Sequence, residues 1–584
     1  MTNRYKSNYD KSPVVVIDER EVIISGWDSI ISKIKEGQSQ KIVIECYHGV
    51  AVSLIISKLK SYFSEGIIFS TERGFRKETL MNEFLEPFLT EDRIFGRMND
   101  LNLEVYFDAS ELNKMRKEWH QAKGVTIAIG VGASLLCLDP DLFIYADMPR
   151  WEIQKKFRKG ILGNVGSSNV GEDFFRLYKR AYFCDWRACD RMKQGTFSAW
   201  DFILDTTLDE KPKLLPVKNL VMGLEKCVQQ PFRLVPFFDP GPWGGQWMKE
   251  VCDLDRSVSN YAWCFDCVPE ENSLLLKFGT EHIEIPAINL VFFQSEKLLG
   301  THVVNQFGKE FPIRFDFLDT MGGGNLSLQV HPLTGYIKKH FGIDYTQDES
   351  YYFLDAGEDA HVYLGLRDGI DPTTMMADLE TAQKGKMVFP TDKYVNKFSV
   401  KKHDHILIPA GTIHCSGKNS MVLEISATPY IFTFKLWDWG RLGLDGLPRP
   451  IHLDHGREAI QWDRNTHFAE NELINAIEII NESDEVKEER TGLHALEFIE
   501  TRRHWFSTKV SHHTKGNLNV LNLIQGSCAL VESPTQSFEP FEVHFAETFI
   551  IPAAVGPYVI SPSGDAIGSR CATIKAYIRN ISKS

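Results

Sequence analysis

The spacing of hydrophobic positions changes once along this 584-residue chain. In the first third, short apolar runs alternate with stretches of helical spacing. "KIVIECY" (41–47) is one such run, and "VAVSLIISKLKSYF" after it repeats apolar residues every three or four positions. "GVTIAIGVGASLL" (124–136) and "PDLFIYADMP" (140–149) are further runs, and the charged helix "RWEIQKKFRKG" follows the second. Strand, turn and helix in repetition predict an α/β domain with a parallel sheet over residues 1–212. Its end is set where "LDTTLDEKPKLLP" turns charged and proline-bearing.

From residue 213 the period falls to two. "NSLLLKFG", "FPIRFDFLDT", "NLSLQVHP", "ESYYFLD", "AHVYLGL", "HILIPAG" and "SMVLEIS" are short strands separated by glycine and proline turns. This rhythm predicts an antiparallel sandwich or jelly roll over 213–467. The acidic stretch "FAENELINAIEIINESDEVKEER" (468–490) reads as a helical insertion. "VLNLIQGSCALVE" and "ETFIIPAAVGPYVI" then open a second β segment, so 468–584 is a helical linker and a second all-β domain. The expected fold class is multidomain: one α/β domain, then two all-β domains in tandem.

Composition narrows the function classes. Hydrophobic residues are 43% and charged residues 24%, ordinary for a soluble globular protein. The net charge is −13 and no basic block stands out, which argues against nucleic acid or an anionic membrane as the main partner. The eleven cysteines are scattered through apolar runs, as Cys137 and Cys528 are, which suits buried thiols in a reducing compartment. Cys264 and Cys267 form a lone C-x-x-C with no second pair at zinc-site spacing. No run of about 18 apolar residues occurs, and the first twenty residues lack an apolar segment, so a cytoplasmic protein is expected.

The candidate chemistry begins in "LSLQVHP". Side chains alternate along a strand, so Gln329 and His331 share a face. Glu349 opens "ESYYFLD", and His414 follows a tight turn in "LIPAGTIHCSG". Two imidazoles, a carboxylate and an amide oxygen make a plausible shell for a divalent metal, zinc before manganese, iron or cobalt. A strand histidine is often only hydrogen-bonded and a glutamate at a strand start is often solvated. Spacing alone leaves both readings open.

"NLSLQVHP", "DESYYFLD", "LIPAGTIHC" and "FKLWDWGRLGLDGLPRPIHLDH" resemble, in order, signature segments of type I mannose-6-phosphate isomerases, zinc enzymes of the cupin superfamily. "GPWGGQWM" and "EFPIRFDFLDT" upstream are similar to two more, so the resemblance runs from about 213 to about 460. It implies tandem cupin domains and one zinc ion on Gln329, His331, Glu349 and His414. It implies aldose–ketose isomerisation of mannose 6-phosphate and fructose 6-phosphate or a related sugar. Arg441 lies where the family has an active-site arginine, and Lys435 where many relatives have another; both are candidate catalytic cations. Arg314 and His452 are candidate substrate contacts, and His455 shares the His-bearing segment. Two positions depart from the family. Asp316 stands where a lysine is common, with Arg314 nearby on the same face, and Gln347-Asp348 replaces Lys-Thr before Glu349. A metal-binding carbohydrate sensor without turnover is the alternative, as is a bifunctional kinase–isomerase. A small sugar phosphate is the expected partner, with a second copy of the chain left open.

The first third resembles P-loop kinases of the nucleoside or small-molecule kind, in a degenerate form. Residues 45–53, "ECYHGVAVS", lack the G-x-x-x-x-G-K-[ST] pattern. "GVGAS" (130–134) reads as a buried turn, and Arg150, Arg158 and Arg180 as phosphate contacts or a solvated helix face. The C-terminal β segment carries no matching ligand set. His512 and His513 are adjacent and must face opposite ways, so a metal-free domain is expected there.

Overall fold

The computed structural model describes residues 7–137, 139–427, 430, 432–443, 446, 449–492 and 497–579. A seven-stranded sheet forms the first layer, in the order Ile24–Ser25, Lys213–Pro216, Phe202–Asp205, Leu142–Asp147, Lys41–Cys46, Thr126–Gly130, Ile67–Ser70. The last five run parallel, and the first two close one edge antiparallel. Central strands such as Thr126–Gly130 are buried throughout, which is why they read as unbroken apolar runs rather than alternating ones. Lys213–Pro216 lies past residue 212 yet is hydrogen-bonded into this sheet. Val14–Asp18 leaves the layer and pairs in parallel with Ser273–Phe278.

Chain connections leave the central strand Lys41–Cys46 toward both sides. In open α/β sheets a ligand sits outside the strand ends at such a point. Here the protein fills it. Tyr47 Oη donates to Asp190 (2.9 Å), which also pairs with Arg150 (2.5 Å). His48 is held between the Gly163 carbonyl (2.8 Å) and the Trp186 indole (3.1 Å). Lys193 pairs with Asp147 (2.9 Å) and reaches Asn289 (2.9 Å), a residue of the following region. The "GVGAS" loop does cradle an anion, but an internal one. Gly132 N–H (2.6 Å), Ser134 N–H (2.7 Å) and Ser134 Oγ (2.7 Å) all donate to Glu45. Arg158 pairs with Asp239 of the β region (2.9 Å), and Arg180 with Asp185 (3.5 Å), so neither arginine is a bare helix-face cation.

The middle region is two facing sheets. One holds Phe237–Asp239, Trp263–Cys267, Arg314–Asp319, Ser420–Ser426, Glu349–Ala356 and His405–Ile408. The other holds Val395–Ser399, His361–Leu366, His414–Ser416, Leu328–Val330 and Phe434–Trp437. All neighbours are antiparallel. A second sandwich of six and four strands follows, its core built from both sheets by Phe506, Leu521, Leu523, Val531, Tyr558 and Ile560. Cys264 and Cys267 are buried free thiols. No helix among the described residues is long and apolar enough to cross a membrane.

The helical insertion expected at 468–490 is absent. Only Thr466–Phe468 and Ala469–Leu473 are helical, and Glu478–Glu482 pairs with Val486–Gly492 as a hairpin. The charges explain the difference. Glu478 lies opposite Arg490 and Glu482 opposite Lys487, and both pairs form ion pairs across the ladder. What looked like a solvated helix face is a set of cross-strand partners, with the β-branched Ile479 and Ile480 between them.

The α/β layer is wedged against the first sandwich. Phe95 is buried and packs on Phe341 (5.6 Å between centroids), Phe432 (5.6 Å), Phe434 (5.2 Å) and His452 (4.9 Å). Tyr430 donates to the Ile94 carbonyl (3.1 Å), and Met98 N–H to that of Phe341 (2.8 Å). Phe95→Ala is expected to cost about 3–5 kcal/mol in denaturant unfolding of the full chain, with Phe95→Leu costing less. In three histidines, His405 of the first sandwich and His504 and His512 of the second, burial disfavours the charged ring. Burial, with Arg503 beside it, brings His405 down to about 3. Burial brings His504 down to about 4 and His512 well below its ordinary value. Each titrates near 6.5 when unfolded, so stability is complete above that pH and falls as pH drops below it. Between pH 7.5 and pH 5 the melting temperature of His512→Phe should fall less than that of the parent chain.

Candidate metal centre and its surroundings

Gln329 sits directly opposite His414 on neighbouring strands of one sheet, and His331 follows two residues on. Glu349 reaches them from the facing sheet. His331 Nδ1–H donates to the Phe432 carbonyl (2.8 Å) and His414 Nδ1–H to that of Thr412 (2.9 Å). Those bonds fix both tautomers and leave both Nε2 lone pairs free. The lone pairs point at the Glu349 carboxylate, from 3.1 Å for His331 and 2.9 Å for His414. All three side chains are fully buried, and their ligand atoms lie within 4.8 Å of one another. His331 Nε2 and Glu349 Oε1 have no hydrogen-bond partner. A lone pair facing a carboxylate oxygen is repulsive unless a proton or a cation lies between them. The donor set therefore fits a divalent cation. The Gln329 amide lies 3.2 Å from His414 Nε2, and a half-turn of that amide presents its oxygen at the same place.

Gln347, one of the two departures from the family pattern, steadies this centre. Its Nε2 donates to Glu349 Oε2 (2.8 Å) and its Oε1 accepts from Phe432 N–H (3.0 Å). Phe432 therefore fixes His331 through its carbonyl and Glu349 through Gln347. Asp348 accepts from Ala410 N–H (2.8 Å) in the turn that precedes His414.

The other departure lies in the barrel interior. Arg314, Ser426 and Glu349 form one register row, and Asp316, Glu424 and Tyr351 the next, all on the same face. Arg314 is buried and 3.5 Å from Asp316. Burial raises the Asp316 carboxyl to about 6, against the pull of Arg314. Burial, then Glu349 and Asp316, push Glu424 well above the ordinary range. Burial thus makes both of these carboxyls beside Glu349 easier to protonate than ordinary ones. Glu424 carried no motif of its own in the sequence; only the register exposes it.

The predicted cations gather at the sheet edge. Lys435 lies opposite Gln329 and so on its face. Burial, with Arg449 nearby, brings its amine down to about 7. Arg441 pairs with Asp438 (2.6 Å) and donates to the Asn325 carbonyl (2.6 Å). Arg449 pairs with Asp438 from the other side (3.1 Å) and donates to Ser327 Oγ (3.1 Å). Arg449 was not singled out beforehand, because the glycine- and proline-rich stretch between the two arginines hides their proximity. His452 is buried, its Nδ1 is unpartnered, and burial brings it down to about 3. With His455 it lines an open polar cavity that Asp92 of the α/β layer also lines.

A family model described as a domain of unknown function (DUF8485) matches residues 26–229. The probable mannose-6-phosphate isomerase GmuF of Bacillus subtilis (strain 168) is 29% identical over 153 residues, 26% of this chain and 45% of that protein. Mannose-6-phosphate isomerase ManA of the same organism is 29% identical over 162 residues, 27% of this chain and 48% of that protein. The crystal structure of the mannose 6-phosphate isomerase from Bacillus subtilis covers 60% of this chain and 100% of that one, with a TM-score of 0.48 and 18% identity. The chain spans about half the length of the curated relatives it matches. The resemblance carried by the sequence segments is borne out: part of this chain is homologous to type I mannose-6-phosphate isomerases.

Proposed function

We propose that this protein is a zinc-dependent aldose–ketose isomerase of a hexose phosphate, with mannose 6-phosphate and fructose 6-phosphate as the simplest pair. The observation that carries this reading is the convergence of two fixed imidazole lone pairs on one buried carboxylate, in a chain related to such isomerases. Gln329, His331, Glu349 and His414 would hold the ion. Bound there, it would polarise the substrate oxygens and stabilise negative charge on them. The reaction is internally redox-neutral: a proton leaves C2 of the aldose and one is delivered to C1, while the hydroxyl and carbonyl exchange places. Lys435, which lies opposite Gln329 with its amine brought down to about 7, would take and return that proton. Arg441 and Arg449 flank Asp438 and leave net positive charge for the anionic end. Gln347 and the carbonyls of Phe432 and Thr412 keep the ligands aimed.

A sugar-sensing protein without turnover is the second reading. Asp316 and Gln347 favour it, because they stand where relatives commonly have lysines. For the α/β layer we propose a degenerate kinase-like wall that takes no nucleotide. The filled crevice at Tyr47 and His48 and the Glu45 carboxylate in the "GVGAS" loop support this.

Four outcomes are expected. In a coupled assay, mannose 6-phosphate should be converted, a chelator should stop conversion, and zinc should restore it; absence of turnover on any hexose phosphate would leave the sensing reading. Glu349→Ala should lose one equivalent of bound metal by elemental analysis and all activity. Lys435→Met should keep that metal and lower kcat by about 10²–10⁴, the span of a lost general acid–base group. Titration calorimetry with millimolar ATP should show no binding.

A further inference from the structure

A second cluster of ligand-type side chains stands outside the first centre, on the C-terminal sandwich. The strands Cys528–Glu532 and Phe541–His544 are antiparallel neighbours, with Cys528 directly opposite His544. Glu542 precedes His544 by two residues and shares its face. Ala529, Val531 and Val543 of the same strands are fully buried in the sandwich core, so the three ligand types face outward. Their Sγ, carboxylate oxygen and ring nitrogen lie within 4.8 Å of one another.

The histidine is held as a ligand would be. Its Nδ1 is 3.2 Å from Glu547 Oε1. Glu547 is buried and immobilised by Arg233 (2.6 Å) and by the backbone N–H groups of Asp10 (2.6 Å) and His544 (2.8 Å). With Nδ1–H donating to Glu547, the lone pair of Nε2 is turned toward Glu542 Oε1 at 3.2 Å. A carboxylate behind the ring, with the far nitrogen turned to further donors, is the arrangement that orients metal-binding histidines. It repeats the logic of the first centre, where backbone carbonyls stand behind the rings. Cys528 Sγ completes the group and lies 2.9 Å from Ser563 Oγ.

We propose that Cys528, Glu542 and His544 form a second divalent-metal site, suited to zinc. Thiolate, imidazole and carboxylate fill three tetrahedral positions, and the outward face leaves the fourth to water. The thiolate disfavours magnesium and calcium. Binding replaces the S–H proton of Cys528 with the metal and releases that proton to solvent. The ion ties the two strands together and, through Glu547 and Arg233, to the segment that enters from Asp10. The competing state is an imidazolium held by Glu542 and Glu547 with the thiol left protonated.

Cobalt(II) separates the two. The first centre contains no sulfur ligand, so a thiolate-to-cobalt charge-transfer band in the near ultraviolet reports the second site alone. The full chain, stripped by chelator and loaded with cobalt(II), should keep a second equivalent through desalting and show that band. Cys528→Ser should lose the band and the second equivalent while keeping the first. Glu542→Gln, at an exposed position that leaves the thiol in place, should weaken the second site at least about tenfold. A single equivalent without the band, or a band that survives in Cys528→Ser, would overturn the site. Unchanged affinity in Glu542→Gln would remove that residue and the proposed geometry with it. None of these readouts depends on isomerase activity.

Discussion

Glu349 lies between two imidazole lone pairs that cannot turn away from it. Each ring is pinned through Nδ1 to a backbone carbonyl, and those carbonyls, of Phe432 and Thr412, lie just before two strands of the sheet that faces the one Glu349 comes from. The two sheets can close only if something positive resolves that contact. A protonated ring can do so, and the neighbouring carboxylate raises His331 against the lowering effect of burial. A divalent cation does so more completely, because it satisfies every lone pair at once. Under the proposed function, packing of the two sheets and binding of the ion would be coupled.

The remaining charges are arranged around that contact. Gln347 occupies a place where a lysine would add a cation, and it spends both ends of its amide on holding Glu349 and Phe432. Asp316 occupies another such place, but Arg314, 3.5 Å away, offsets the charge it adds. The positive groups lie instead along one edge, where Arg441 and Arg449 share Asp438 and Lys435 stands close by, opposite Gln329. The cationic groups thus lie at the edge of this sheet, while Arg314 and Asp316 face each other in the interior.

Much of this was legible in the sequence, for physical reasons that can be named. Strand period placed Gln329 and His331 on one face, and the sandwich brought Glu349 and His414 to them as the family resemblance implied. Alternation also separated His512, which is buried, from His513, which is exposed. The hairpin at 478–492 was not legible, because charged residues at i and i+12 look like helix surface until a turn sets them opposite each other. Glu424 and Arg449 were missed for a related reason: each acts through a neighbour on another strand or across a loop, and no local spacing records that. Position 212 looked like an end because charge and proline cluster there, although the next strand, Lys213–Pro216, continues the same sheet.

The Glu45 carboxylate in the "GVGAS" loop has a further meaning. It is an anion tethered to its own binding site, delivered by the adjacent strand and bonded by Gly132 and Ser134. A free phosphate approaching that loop would compete with a tethered group, and effective concentrations for short tethers are in the millimolar range. The competitor also never dissociates from the molecule. Such an arrangement turns a surface that could bind an anion into a brace between two strands, and burial raises the carboxyl to about 7 in doing so. The loop would regain exchange with solution anions only as that carboxyl took up its proton and loosened.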